Sequence, residues 1–270
     1  TRETWRDRDG QEFNPSTYYY VGGNSKFFGT ATVRFRVEDF EPLQHEAGVA
    51  PGWPITYAQL APYYDVAEQL FGTHGTAGMD PCEPPRSGPM PHPAVGHEPE
   101  IQFFDTRLRE MGLKPFPLPV AIDLHPGGKC IRCKTCDGFA CKLGAKNDAE
   151  VRMVDPALAT GNVDLVLESY VRRLITDDTG RKVVAVEIEQ GGQARIISAG
   201  LVITSAGAIN SAALLLRSSN AKHPKGLGNN SSDQLGRNYM AHNNTAMMAV
   251  NPLKKNNVTF QKSLCINDFY

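Results

Sequence analysis

The stretch LVITSAGAINSAALLLRSS, residues 201–219, constrains the fold of this chain more than any other. Leu201–Thr204 is a short all-apolar run, the pattern of a parallel strand buried on both faces. SAGAIN then makes a tight turn of small residues, and SAALLLRSS reads as a helix. Strand, small-residue turn and helix, in that order, is the local architecture of an α/β layer. The turn and helix start lie at the carboxyl end of the strand, where such sheets hold a dinucleotide. The segment before it has a different pattern. VDLVLE (Val163–Glu168) and VRRLIT (Val171–Thr176) read as strands, and DDTG (Asp177–Gly180) as a hairpin turn. VVAVEIEQ is the return strand, and ARIIS, after the Gly191–Gly192 turn, is the third strand of a meander. Asp155 and Pro156 open a short helix that Gly161 ends.

The amino-terminal part centres on VGGNSKFFG, Val21–Gly29. Its glycines let the backbone approach a ligand closely, and Asn24 and Ser25 are expected to present donors to a phosphate or a ring edge. Ala31–Phe40 alternates, so it reads as a short strand with Val33, Phe35 and Val37 on one face and Arg34 and Arg36 on the other. Thr56 and Gln59 form a capping-box pattern. Pro62 fits the first turn of a second helix, Pro62–Phe71, with Tyr63, Ala67, Leu70 and Phe71 as its apolar stripe and Gly72 as its stop. Gly72–Glu100 is rich in Pro and Gly and reads as a long loop. Ile101–Met111 reads as a helix with Phe104, Leu108 and Met111 on one side, stopped by Gly112. Pro115, Pro117 and Pro119 then impose an extended path.

Composition narrows the function classes. With 270 residues, 41% hydrophobic, the chain is long enough for one large or two medium domains. A net charge of -1 gives no basic stripe for nucleic acid. A mean hydropathy of -0.35, with no apolar run of about 18 residues, gives no membrane span. Six cysteines are present, and four of them, Cys130, Cys133, Cys136 and Cys141, crowd together as C-x2-C-x2-C-x4-C. Such crowding reads as metal or redox chemistry more naturally than as a disulfide framework. The run is near to, but not the same as, the ferredoxin spacing for an iron–sulfur cluster, and its CxxC-like pairs would also suit tetrahedral zinc. A reduced or partly disulfide-bonded structural loop is the third reading. The other two cysteines are Cys82 and Cys265.

The pieces VGGNSKFFG, GWPITYAQLAPYYDVAEQLFGTHG, LGAKNDAEVRMVDPALATGNVDLVLESYVRRLITD, LVITSAGAINSAALLLRSS and SSDQLGRNYMAH run in one order along the chain. In that order they resemble the glucose-methanol-choline (GMC) oxidoreductases, FAD enzymes that oxidise alcohols, sugars and polyols. The resemblance implies an α/β FAD-binding fold, Rossmann-like and of GMC type, with part of an α+β substrate domain, truncated at both ends. It divides the chain into 1–40, the flavin-facing part of the FAD domain; 41–145, a helical and loop insertion with the cysteines; 146–218, FAD domain with the meander; and 219–270, the start of the substrate domain. Gly22, Gly23, Asn24, Ser25 and Gly29 match the glycine-rich segment passing close to the flavin and its pyrophosphate. Val171 matches the position whose backbone contacts the adenine. Ser205, Ala206 and Gly207 match the turn beside the adenosine end. Ala241 stands where the family usually has an acid, which puts the packing around His242 in question.

The family's GxGxxG strand and its reacting histidine are not in these residues. None of the seven histidines (45, 74, 92, 97, 125, 223 and 242) matches the reacting motif, so no catalytic residue is assigned. This span by itself is therefore expected not to turn over. Some GMC dehydrogenases carry an iron–sulfur centre, which extends that reading of Cys130–Cys141 and implies onward electron transfer to an acceptor protein or a quinone. The expected partner is otherwise a small alcohol, sugar or polyol. Crowded reduced thiols point to the cytoplasm, with the periplasm as the alternative should an export signal precede Thr1.

Overall fold

The computed structural model describes residues 4–15, 17–46, 48–240 and 245–269. They divide into two units, Thr1–Val163 with Asn251–Tyr270, and Asp164–Val250. That division cuts across the sequence-derived boundaries at 145/146 and 218/219.

In the first unit, the capping box closes as expected. Gln59 N donates to Thr56 Oγ1 at 3.3 Å and Thr56 N to Gln59 Oε1 at 2.9 Å. It starts one continuous helix, Tyr57–Phe71, rather than a first helix and a second opening at Pro62, and Gly72 ends it in the left-handed conformation. Only part of the expected apolar stripe turns inward: Ala67 and Phe71 are half-buried, Tyr63 and Leu70 are exposed, and Tyr57 and Glu68 are the buried residues. The neighbouring strand expectation fails for the same reason. Val37–Phe40 is a 3₁₀ turn, Val33 and Phe35 are exposed, and Arg34 is buried against the helix. Glu68 is the cause, since a buried carboxylate draws the arginine inward and turns the alternation over.

The long Pro- and Gly-rich segment is pinned at both ends. Thr73–Gly75 is the middle strand of a three-stranded sheet, parallel to His92–Pro93 and antiparallel to Val120–Ala121. A helix then runs from Pro99 to Glu110, with Phe104 and Met111 exposed. The proline path forms a short strand, Phe116–Pro117, that pairs with Leu264–Cys265. Val95, Val120, Ile122 and Phe260 make the core.

In the second unit the meander forms as read, with Val183–Gln190 antiparallel between Ser169–Thr176 and Gln193–Ser198. Val163–Glu168 is not a strand. Helix Ala208–Arg217 lays Leu214 against Leu174 and Leu227. The run Leu201–Thr204 is extended, but it joins no ladder among the described residues. Val202 reaches the core, while Leu201 and Ile203 are each 77% exposed, so the expected two-sided burial is absent. An all-apolar run becomes a buried strand only where partner strands flank it.

Candidate functional site

Gly22 and Gly23, at φ +83° and +55°, start a 3₁₀ turn over Gly23–Lys26. A Cβ on Gly22 would meet Glu150 N at 3.0 Å, whereas Gly23 faces open space. Of the side chains expected to donate, Ser25 spends its hydroxyl within the segment, and Asn24 serves as an acceptor. Ser25 Oγ donates to Gly22 O at 2.5 Å and accepts from Ala149 N at 3.1 Å. Asn24 Oδ1 accepts from Tyr18 N at 3.0 Å. These side chains shape the turn, and the glycine backbone is what remains for a ligand. Lys26 pairs with Glu150 and with Asp148. Burial works against its charge, but the two carboxylates outweigh it and raise its pKa.

Gly29 serves a neighbour. A Cβ there would collide with the Lys262 ammonium and approach Asp137. Lys262 Nζ donates to Gly29 O at 3.0 Å and pairs with Asp137 at 3.0 Å. Thr30 follows at φ +66°, an uncommon backbone for a β-branched residue, fully buried and with no hydroxyl partner among the described residues.

In the other unit, Ser205, Ala206 and Gly207 form an exposed turn at the start of the ten-residue helix Ala208–Arg217. Gly207 adopts φ +79° and ψ 165°, a region essentially reserved for glycine, and no side chain caps the helix. Val171 lies on the first meander strand and packs towards Leu174 and Leu214; its carbonyl accepts from Arg217 Nη2 at 3.4 Å. Ala206 N donates to Ser211 Oγ at 3.1 Å, and among the described residues no side chain caps the helix at Gly207, so the glycine-only turn and the helix start behind it are compatible with the nucleotide end of FAD. Gly22, Gly23, Asn24, Ser25 and Gly29 thus belong to one unit, and Val171 and Ser205–Gly207 to the other.

The four crowded cysteines lie within electrostatic reach of one another. Cys130 and Cys136 pack against the apolar core, and burial pushes both thiols up. Cys133 turns to Thr135, whose backbone and hydroxyl lower its pKa, and Cys141 Sγ accepts from Ala145 N at 3.4 Å. Among the described residues no group of three or more His, Cys, Asp or Glu is placed to hold a metal ion. Of the histidines, His74 and His92 stack at 4.8 Å and His92 and His125 at 6.1 Å, with burial pushing the His74 pKa down. Ala241 and His242 lie outside the described residues.

The residue that sequence reasoning passed over is Lys146. It is 1% exposed, and its ammonium donates to the carbonyls of Lys26, Phe28, Cys136 and Phe139. A lysine inside LGAKNDA carries no local signal of burial, because its partners lie up to 120 positions away.

The GMC oxidoreductase family model matches residues 19–244, and the chain belongs to that family. It is 36% identical over 84% of its length to the 6'''-hydroxyparomomycin C oxidase of Streptomyces lividus. It is 36% identical over 83% of its length to the paromamine 6'-oxidase of Streptomyces fradiae. The chain spans 43% and 42% of those two relatives. An FAD-dependent oxidoreductase from Chaetomium thermophilum shares the fold at a TM-score of 0.50 and 16% identity, over 78% of this chain and 36% of that one.

Proposed function

We propose that this protein is an FAD-dependent oxidoreductase acting on the CH–OH group of a small alcohol, sugar or polyol. The observation that carries the reading is the Ser205–Gly207 turn, where a glycine-only backbone opens an uncapped helix. When bound, the flavin supplies at N5 the acceptor for the hydride leaving the alcohol carbon, while a base takes the hydroxyl proton. This chain's own part is to bind and orient. Backbone donors of the turn would take acceptors of the adenosine end, with the Val171 main chain beside the adenine. The open backbone at Gly23 would let the ring approach without a side chain between. Lys26 adds a cation to the same segment, held by Asp148 and Glu150. Similarity to two proteins named as oxidases supports the same reading.

The visible spectrum of the full-length protein tests it. Flavin bands that bleach when an alcohol or sugar is added without oxygen are expected; a colourless protein, or flavin that no such compound bleaches, refutes it. Admitting oxygen, or alternatively a quinone, to the bleached enzyme then separates oxidase from dehydrogenase by which one restores the colour.

A further inference from the structure

Lys146 makes no ion pair among the described residues, although its side chain is buried. Its Nζ lies 3.0 Å from Lys26 O, 2.9 Å from Phe28 O, 2.7 Å from Cys136 O and 2.8 Å from Phe139 O. An ammonium has three N–H groups, so four carbonyls around it make a cage of the kind that coordinates a cation. Two of the carbonyls belong to the glycine segment and two to the cysteine loop. The ties beside it repeat the pattern. Gly138 N donates to Phe27 O at 3.1 Å, and Lys262 joins Gly29 O to the Asp137 carboxylate. The carbonyls of four successive residues, 26 to 29, are therefore all engaged by the loop 136–139 or by a lysine bound to it. Fixing a carbonyl fixes its whole planar peptide unit.

We propose that Lys146 is a positioning residue: its caged ammonium locks segment 26–29 onto cysteine loop 136–139, so that the loop sets the conformation of the segment facing the flavin. The word "flavin" rests on the reading above; the lock does not. It also gives the cysteine loop a role that needs no metal, since the loop contributes backbone carbonyls and an aspartate rather than sulfur.

Hydrogen exchange of the full-length protein, read on peptides covering 22–30 and 134–142, tests the lock in wild type and Lys146→Ala. Both peptides are expected to exchange faster together, by roughly tenfold or more for a lost charge-assisted bond. The meander, 169–198, keeps its protection and serves as the control for folding. Methylammonium, small enough to enter the vacated cage, is expected to restore both. No change, a change in one peptide only, or no restoration would overturn the proposal. Should Lys146→Ala not fold, Lys262→Met removes one outer tie at a partly exposed position. A smaller coupled rise is expected there, and an uncoupled or absent one overturns the proposal equally. In the flavin-loaded protein the visible circular dichroism is expected to shift in Lys146→Ala, and an unchanged signal rejects the positioning role. A wild-type protein that takes no flavin sinks the functional reading alone, because the exchange result still decides the lock.

Discussion

Arg34 grips Glu68 through two hydrogen bonds, Nε to Oε1 at 2.9 Å and Nη2 to Oε2 at 2.7 Å, with both side chains nearly fully buried. Arg86 reaches the same carboxylate from the Pro- and Gly-rich segment. One glutamate thus bridges two arginines and ties the helix Tyr57–Phe71 to chain on both sides of it. Removing one partner of a buried ion pair costs more than the pair contributes, because the other charge stays behind. Asp65 and Glu83 remain to hold part of the arginine charge. Glu68→Ala is therefore expected to cost about 3 kcal/mol, the lower end for such a break. Denaturant unfolding measures it, and a loss under about 1 kcal/mol, the value of an exposed pair, contradicts the assignment.

The same carboxylate makes stability depend on pH in acid. Burial pushes the Glu68 pKa up, but Arg34 and Arg86 outweigh it and hold it below the usual glutamate range. Asp65 is lowered too, by the Ser87 hydroxyl first and then by Arg34. A carboxylate with a depressed folded-state pKa binds fewer protons folded than unfolded. Its contribution is present above the unfolded value, about 4.3 for glutamate, and is lost as pH falls through the folded value. Unfolding free energy is expected to drop with pH over that range, and Glu68→Gln is expected to flatten the drop. Equal slopes in the two proteins would mean that other groups carry the acid sensitivity.

What could be read from the sequence follows how far each signal reaches along the chain. The Thr56–Gln59 box spans three residues and was readable, as were the meander and its Asp177–Gly180 turn. The alternation at Val33–Val37 separates the two faces but does not show which turns inward, because the deciding partner, Glu68, lies 34 residues beyond Arg34. Leu201–Thr204 looked like a buried strand because it is apolar, yet a strand needs a ladder partner that composition does not reveal. In the candidate site the glycines and the Ser205–Gly207 turn were legible as backbone features. The use of Ser25 inside the turn and the cage around Lys146 were not, since both depend on contacts with residues more than a hundred positions away. Cysteine spacing showed that the thiols were close in sequence and left their directions open; two of them turn into the core.

Thr30 offers a test next to the glycine segment. Its hydroxyl is buried with no partner among the described residues, and such an orphan costs its desolvation. Thr30→Val keeps the shape and the β-branch, so the backbone cost at φ +66° is unchanged while the orphan is removed. Stability is expected to rise by about 1 kcal/mol. A fall measured by thermal or denaturant unfolding would show that the hydroxyl has a partner in solution.

Gly207 links stability to the proposed cofactor. At φ +79° and ψ 165° an alanine is strained, and with nothing within 4 Å of the added Cβ the cost is in the backbone alone. Gly207→Ala is expected to lose about 1–3 kcal/mol of stability, or else to relax the turn and keep the stability. A relaxed turn moves the backbone donors at the start of helix Ala208–Arg217, and a strained one populates the intact turn less, so flavin retained per protein after gel filtration is expected to fall in both cases. Reconstitution with excess FAD separates the two. A relaxed turn binds weakly at any FAD concentration that saturates wild type, whereas a strained but intact turn recovers its flavin. Full flavin content without added FAD would show that this turn does not hold the cofactor.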